Sequence, residues 1–200
     1  FMKEIISVNF DKIKSSAVLK NLNLEKGNYF VASLHREENV DNHEKLKSLT
    51  KCLEEIYQNF QKQIVFSCHP RTRKRLKEFC LPIPKGIVAS PPFSLFDYLA
   101  LQQNAMCVIS DSGTITEESD VLGFPAISPR LSHERPEGFD VGVIMLTNLV
   151  PDRVVKAIKV QLEEYSDYEH KQKIYDYSMD RPSITVAKAI GSYIDYINRN

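Results

Sequence analysis

Short apolar runs alternate with longer amphipathic segments along most of this chain, and that alternation restricts the fold more than any other feature. Six runs read as strands: Tyr29–Leu34 (YFVASL), Gln63–Cys68 (QIVFSC), Ile87–Ser90, Met106–Ser110 (MCVIS), Pro125–Ser128 and Val143–Leu146. Between them, Leu46, Leu49, Leu53 and Ile56 recur at helical spacing and predict a helix over 43–59. Further helices are predicted over Arg71–Cys80, with Leu76 and Phe79 inward, over Leu95–Gln103 and over Ile115–Leu122. Ile5, Ile6, Ile13, Val18 and Leu19 suggest an opening helix across residues 3–20, and 151–165, 169–177 and 184–197 suggest closing ones. Several strands are apolar throughout, so both of their faces are covered. The predicted fold is α/β: a Rossmann-like parallel sheet sandwiched by helices. In such sheets ligands bind beyond the C-terminal strand ends, which places 35–42, 69–72, 91–94 and 111–118 on one rim.

Composition removes several function classes. The 200 residues suit a single domain, and Lys+Arg and Asp+Glu balance at 26 each, so no basic excess points to nucleic acid. No apolar run reaches membrane-spanning length and no secretory leader pattern opens the chain, so no membrane partner and a cytoplasmic location are expected. Cys52, Cys68, Cys80 and Cys107 form no C-x-x-C pair and lack zinc-ligand spacing. They read as reduced thiols, at least three of them interior, and no metal is expected.

The richest local signal is Ser110-Asp111-Ser112-Gly113-Thr114, between a strand and a helix. Small residues let a ligand approach the backbone, and the first N–H groups of a helix lack internal partners and carry the positive end of its dipole. Phosphate is the natural occupant, although Ser and Asp at this place also suit a plain helix cap. Glu117 and Glu118 lie in the first turn of that helix. A carboxylate there can accept from both hydroxyls of a ribose, a role given to Glu118, while dipole-favoured surface acid suits the other. Leu122-Gly123-Phe124-Pro125 ends the helix on a C-cap glycine. In the charged loop Ser132–Asp140, Arg135 stands beside Pro136, and a guanidinium is a natural clamp for a diphosphate. His35-Arg36 and His69-Pro70-Arg71 each follow a strand, and two His–Arg pairs on one rim suggest an anion site rather than two isolated structural histidines.

Together these segments resemble the non-hydrolysing UDP-N-acetylglucosamine 2-epimerases. The matching motifs are HREEN at 35–39, CHPR at 68–71, SDSGTITEES at 110–119, GFP at 123–125 and HERPEG at 133–138. Thr114 stands where the family usually has a second glycine, and the Glu-Arg-Pro-Glu-Gly-Phe-Asp continuation of the arginine loop resembles the branch that forms UDP-N-acetyl-L-fucosamine for capsule or O-antigen. The resemblance implies the C-terminal half of a GT-B two-domain fold. The N-terminal domain, with the family's catalytic carboxylates, has no counterpart in these residues, and the chain is expected to be an excised second domain.

The implied reaction inverts C2 of a UDP-N-acetylhexosamine by elimination of UDP to a glycal, followed by re-addition. His35 is the implied catalytic residue. His69, Tyr98, Ser112, Gly113, Thr114, Glu118 and Arg135 are the implied UDP-binding residues, and Arg36 is offered to a second, allosteric substrate site. The implied partners are a UDP-sugar, the N-terminal domain and, at full length, a second copy in a homodimer, with no cofactor. The isolated domain should bind UDP and catalyse nothing. Two other enzyme readings use the same half-site, a GT-B glycosyltransferase and a hydrolysing epimerase, and a non-catalytic nucleotide sensor is a third class.

Overall fold

The computed structural model describes residues 1–132, 135–166 and 173–197. Among these, six strands form one parallel sheet: β1 (Tyr29–Ser33), β2 (Gln63–Ser67), β3 (Ile87–Ser90), β4 (Cys107–Ser110), β5 (Ala126–Ser128) and β6 (Ile144–Leu146). The order is β3-β2-β1-β4-β5-β6, with every neighbouring pair parallel. Chain order runs outward from β1 in one direction and from β4 in the other. The crevice between β1 and β4 is therefore the topological switch point, where doubly wound sheets take their ligands.

The pleat explains the apolar strands. Successive side chains point to opposite faces, so each strand feeds two cores. Phe30, Ala32, Ile64, Phe66, Cys107, Ile109 and Ile127 face α5 (His43–Phe60) and α10 (Pro151–Ser166). Tyr29, Val31, Val65, Val108, Ala126 and Ile144 face the other layer, which holds α1 (Met2–Val8), α2 (Phe10–Lys14), α3 (Val18–Asn21), α7 (Leu95–Asn104) and α8 (Ile115–Leu122). The remaining helices are α4 (Glu37–Val40), α6 (Pro70–Glu78), α9 (Glu137–Asp140) and α11 (Pro182–Ile197).

Local chemistry sets several helix ends. Asn42 caps α5 by accepting from the Lys45 N–H at 3.1 Å, and Ser94 caps α7 by accepting from Asp97. Gly123 ends α8 at φ 69°, a conformation that costs glycine nothing. Cys52, Cys68 and Cys107 are buried and Cys80 is exposed, all as thiols.

Four expectations need correction. The opening helix across 3–20 is three short ones. Asn9 closes the first, its side-chain amide and backbone N–H both turning back to the Ile5 carbonyl, and Ser15 and Ser16 interrupt the next. The rim loop at 35–42 contains the helical turn α4, and the arginine loop contains α9. The expected helix over 169–177 falls partly outside the described residues, and its end, Tyr175–Tyr177, is a 3-10 turn. His133 and Glu134 of the HERPEG segment also lie outside the described residues.

Candidate active site at the switch point

Asp111 begins the loop after β4 and is completely buried. Its Oδ2 accepts from the backbone N–H of His35 at 3.1 Å, the N–H of Arg36 at 3.0 Å and the Asn39 side-chain amide at 3.1 Å. Its Oδ1 accepts from the His35 N–H at 3.1 Å and lies 3.4 Å from His35 Nδ1. One carboxylate thus ties the loop after β1 to the turn after β4 across the crevice. Arg36 closes the same link from the other side, donating from Nε to the Asp111 carbonyl at 3.2 Å.

The guanidinium of Arg36 lies over Gly113, where an added Cβ would stand 3.6 Å from its Nη2, an ordinary contact. Gly113 has no positive φ among the described glycines. Among the described residues, neither packing nor a positive φ demands glycine there, and the small residue leaves the backbone open to close approach. The neighbouring hydroxyls of Ser112 and Thr114 are 3.0 Å apart, and Thr114 Oγ1 donates to Glu118 Oε1 at 2.7 Å. Gln102 donates to Glu118 Oε2 at 2.7 Å. Glu118 is 5% exposed, and burial pushes its carboxyl above the usual range against the pull of these two bonds. Each carboxylate oxygen has a second lone pair, so the two neutral donors still leave room for a diol.

His69 follows β2 and caps α6: its Nδ1 accepts from the Arg71 N–H at 3.2 Å. The His35 and His69 rings stand 6.0 Å apart between centroids. Tyr98 of α7 reaches beneath the crevice. Its hydroxyl is buried without a regular hydrogen bond among the described residues, beside Ser33 and Ser110 and near the Glu118 and Asp111 carboxylates. Burial first, and the Glu118 charge second, raise this phenol's pKa. His35, Arg36, His69, Tyr98, Ser112, Gly113, Thr114 and Glu118 therefore gather around one crevice. Segment 91–94, two strands out at β3, takes no part in this group.

Arg135 is placed differently. Its guanidinium pairs with Glu117, and it also interacts with Tyr177, whose hydroxyl bonds Glu137. Glu117 is not the surface acid expected of it. It is 6% exposed and accepts from the Met2 N–H at 2.9 Å. Burial would raise its pKa, but the Met2 N–H and Arg135 together hold it below the usual value. Gly138 allows this arrangement, because a Cβ there would meet Thr116 Cγ2 at 2.0 Å. Gln102, Tyr177 and the bridging role of Asp111 had no sequence signal, since each acts on a partner remote along the chain. A polar recess lined by Asn23, Glu25, Asn28 and Lys62 lies at the opposite, N-terminal strand ends and holds none of these groups.

A family model described as UDP-N-acetylglucosamine 2-epimerase matches residues 2–191. The chain belongs to that family. It is 38% identical over 146 residues to the UDP-N-acetylglucosamine 2-epimerase of Methanocaldococcus jannaschii, covering 71% of this chain and 40% of that protein. The Rickettsia bellii UDP-N-acetylglucosamine 2-epimerase structure superposes with a TM-score of 0.87 at 37% identity, over 100% of this chain and 53% of that one. The Methanocaldococcus jannaschii enzyme in complex with UDP-GlcNAc and UDP superposes with a TM-score of 0.84 at 30% identity, over 95% of this chain and 52% of that one. The chain thus spans about half the length of these relatives, and its sheet is one Rossmann-like half of the family's GT-B fold.

Proposed function

We infer that this chain is the UDP-binding half of a UDP-N-acetylhexosamine 2-epimerase, in a pathway that supplies sugars for capsule or O-antigen. The observation that carries the reading is the convergence at the switch point. A helix N-terminus, Arg36 and Gly113 sit beside Glu118, a buried carboxylate whose donors among the described residues are neutral. The first three suit a diphosphate and the last a ribose diol. That a relative's structure is a complex with UDP-GlcNAc and UDP supports the same ligand class here.

In the reaction we assign, the C2 proton is removed and the C1–O bond breaks, giving a glycal and UDP. Protonation on the opposite face of C2 and re-addition of UDP at C1 complete the inversion. Charge develops on the diphosphate as it leaves, and fixed N–H dipoles with Arg135, the clamp that the resemblance implies, stabilise it without reorganising. The Glu118 grip would keep UDP bound while it is detached. Proton transfer on both faces needs groups on both sides of the sugar, and His35 is the candidate on this side.

The test is calorimetry of this chain with UDP, uridine and ADP, with deuterium exchange at C2 of UDP-GlcNAc in heavy water. UDP binding on the order of 0.1–1 mM without exchange is expected, because this chain spans about half the length of its relatives and the other half would close over the site and exclude water. Glu118→Ala should weaken UDP about 10- to 150-fold, the range for charge-assisted hydrogen bonds. Failure to bind any uridine nucleotide would reject the reading, and exchange by this chain alone would reject the division of labour.

A further inference from the structure

We propose that Asp111 is a positioning residue that holds His35 as the Nδ1–H tautomer, leaving Nε2 unprotonated, while His69 carries its proton on Nε2. The use of these tautomers in proton transfer rests on the epimerase reading. Their existence rests on geometry alone.

The two oxygens of Asp111 are unequally occupied. Oδ2 already receives three donors, from His35 N–H, Arg36 N–H and the Asn39 amide. Oδ1 receives the His35 N–H and keeps capacity toward His35 Nδ1 at 3.4 Å. Asp111 is completely buried, so water cannot fill that capacity. A bare Nδ1 would set one lone pair against another across this gap, whereas Nδ1–H sets a donor against a carboxylate. At 3.4 Å the contact is longer than a formed N–H···O bond, so Asp111 biases the ring through its charge. The neutral histidine side chain in water favours the Nε2–H form, so Asp111 moves His35 away from its default.

His69 is fixed the other way. Its Nδ1 accepts from a backbone N–H, that of Arg71, at 3.2 Å. That nitrogen must therefore present its lone pair, and the proton resides on Nε2. The two rings, 6.0 Å apart, thus offer one bare nitrogen and one N–H. The first can take a proton from carbon, and the second can donate to an anionic oxygen. When Nε2 of His35 takes a proton from carbon, its Nδ1–H stays directed at Asp111, which does not itself take the proton.

Asp111→Asn should reverse the arrangement. The Arg36 N–H and the Asn39 amide donate to Oδ2 alone, and the His35 N–H is shared by both oxygens, so the amide oxygen takes the Oδ2 place and turns the amide N–H₂ toward His35 Nδ1. Nδ1 must then accept, and the proton moves to Nε2. The experiment is a long-range ¹H–¹⁵N correlation of the histidine side chains of the ¹⁵N-labelled chain, above the imidazole titration range. In the native chain, His35 should show a protonated Nδ1 and a bare Nε2, and His69 the opposite pattern. In Asp111→Asn, His35 should switch to Nε2–H while His69 stays as it was. An Nε2–H form or an even mixture at His35 in the native chain overturns the proposal, and so does an unchanged His35 in a folded Asp111→Asn. The native spectrum decides even where the variant fails to fold. No nucleotide is needed, so absence of UDP binding with these tautomers present would count against the epimerase reading alone.

Discussion

Two groups of carboxylates, one on the outer rim and one in the crevice, are held by opposite means. On the rim, Asp41 of the α4–α5 link is gripped by Arg71 and Arg75 of α6, Glu37 pairs with Arg71, and Glu78 pairs with Arg75. The hydrogen bonds of Arg71 and then Arg75 hold Asp41 down at about 2. In the crevice, among the described residues, Glu118 has a threonine hydroxyl and a glutamine amide on its oxygens, and Asp111 has backbone and amide N–H groups. The rim acids sit in water beside fixed cations, an arrangement that stabilises little. The crevice acids are out of water, where an ionised group is costly unless its oxygens are satisfied. Glu118 in particular has a raised pKa, so the fold tolerates its charge there instead of being stabilised by it. That asymmetry is expected of groups kept for a ligand.

The contrast breaks or holds first at Asp111. Asp111→Ala strands two backbone N–H groups and the Asn39 amide in the interior, and should cost on the order of 3 kcal/mol in urea unfolding. A loss no larger than that of the Asp41 variant below would erase the distinction. The next effect is on ligand and not on the fold. Arg135→Lys keeps the charge but loses the planar fork, so UDP affinity should fall about tenfold in calorimetry while uridine is unaffected. Equal loss for both ligands would return Arg135 to a purely structural pairing with Glu117.

A smaller effect appears with pH. The folded state raises the Glu118 pKa above its ordinary 4.5, so it binds more protons than the unfolded state. The associated stability is present below the unfolded value and is lost as pH rises toward the folded one. Glu118→Gln should therefore gain on the native chain in urea midpoint between pH 4 and pH 8. Asp41 has the opposite sign: its contribution is present above the ordinary 3.8 and is lost as pH falls toward about 2. Because these ion pairs are solvent-exposed, the loss is small, and Asp41→Asn should lower the midpoint at pH 7 only slightly, the smallest effect of the set. A larger shift there than at Asp111 would invert the comparison.

The sheet was legible because its information is local. Both-face burial writes apolar runs, helical burial writes the Leu46–Ile56 stripe, and the cap Gly123 sits beside the end it closes. The turn Ser110–Thr114 and the histidines after β1 and β2 were legible for the same reason: strand ends mark the rim. Short elements were harder to read. The breaks at Asn9 and Ser15 and the single turns α4 and α9 are too brief to establish a period. What only the tertiary structure decided was which groups meet. The bonds from Asp111 to His35 and Arg36 join residues 75 or 76 positions apart, and that from Met2 to Glu117 spans 115. Neighbouring glutamates on one helix point in different directions, so Glu117 closes on an arginine and a backbone while Glu118 turns to Gln102 and Thr114. Such pairings follow from strand order and helix rotation, which no spacing of residue types along a chain encodes.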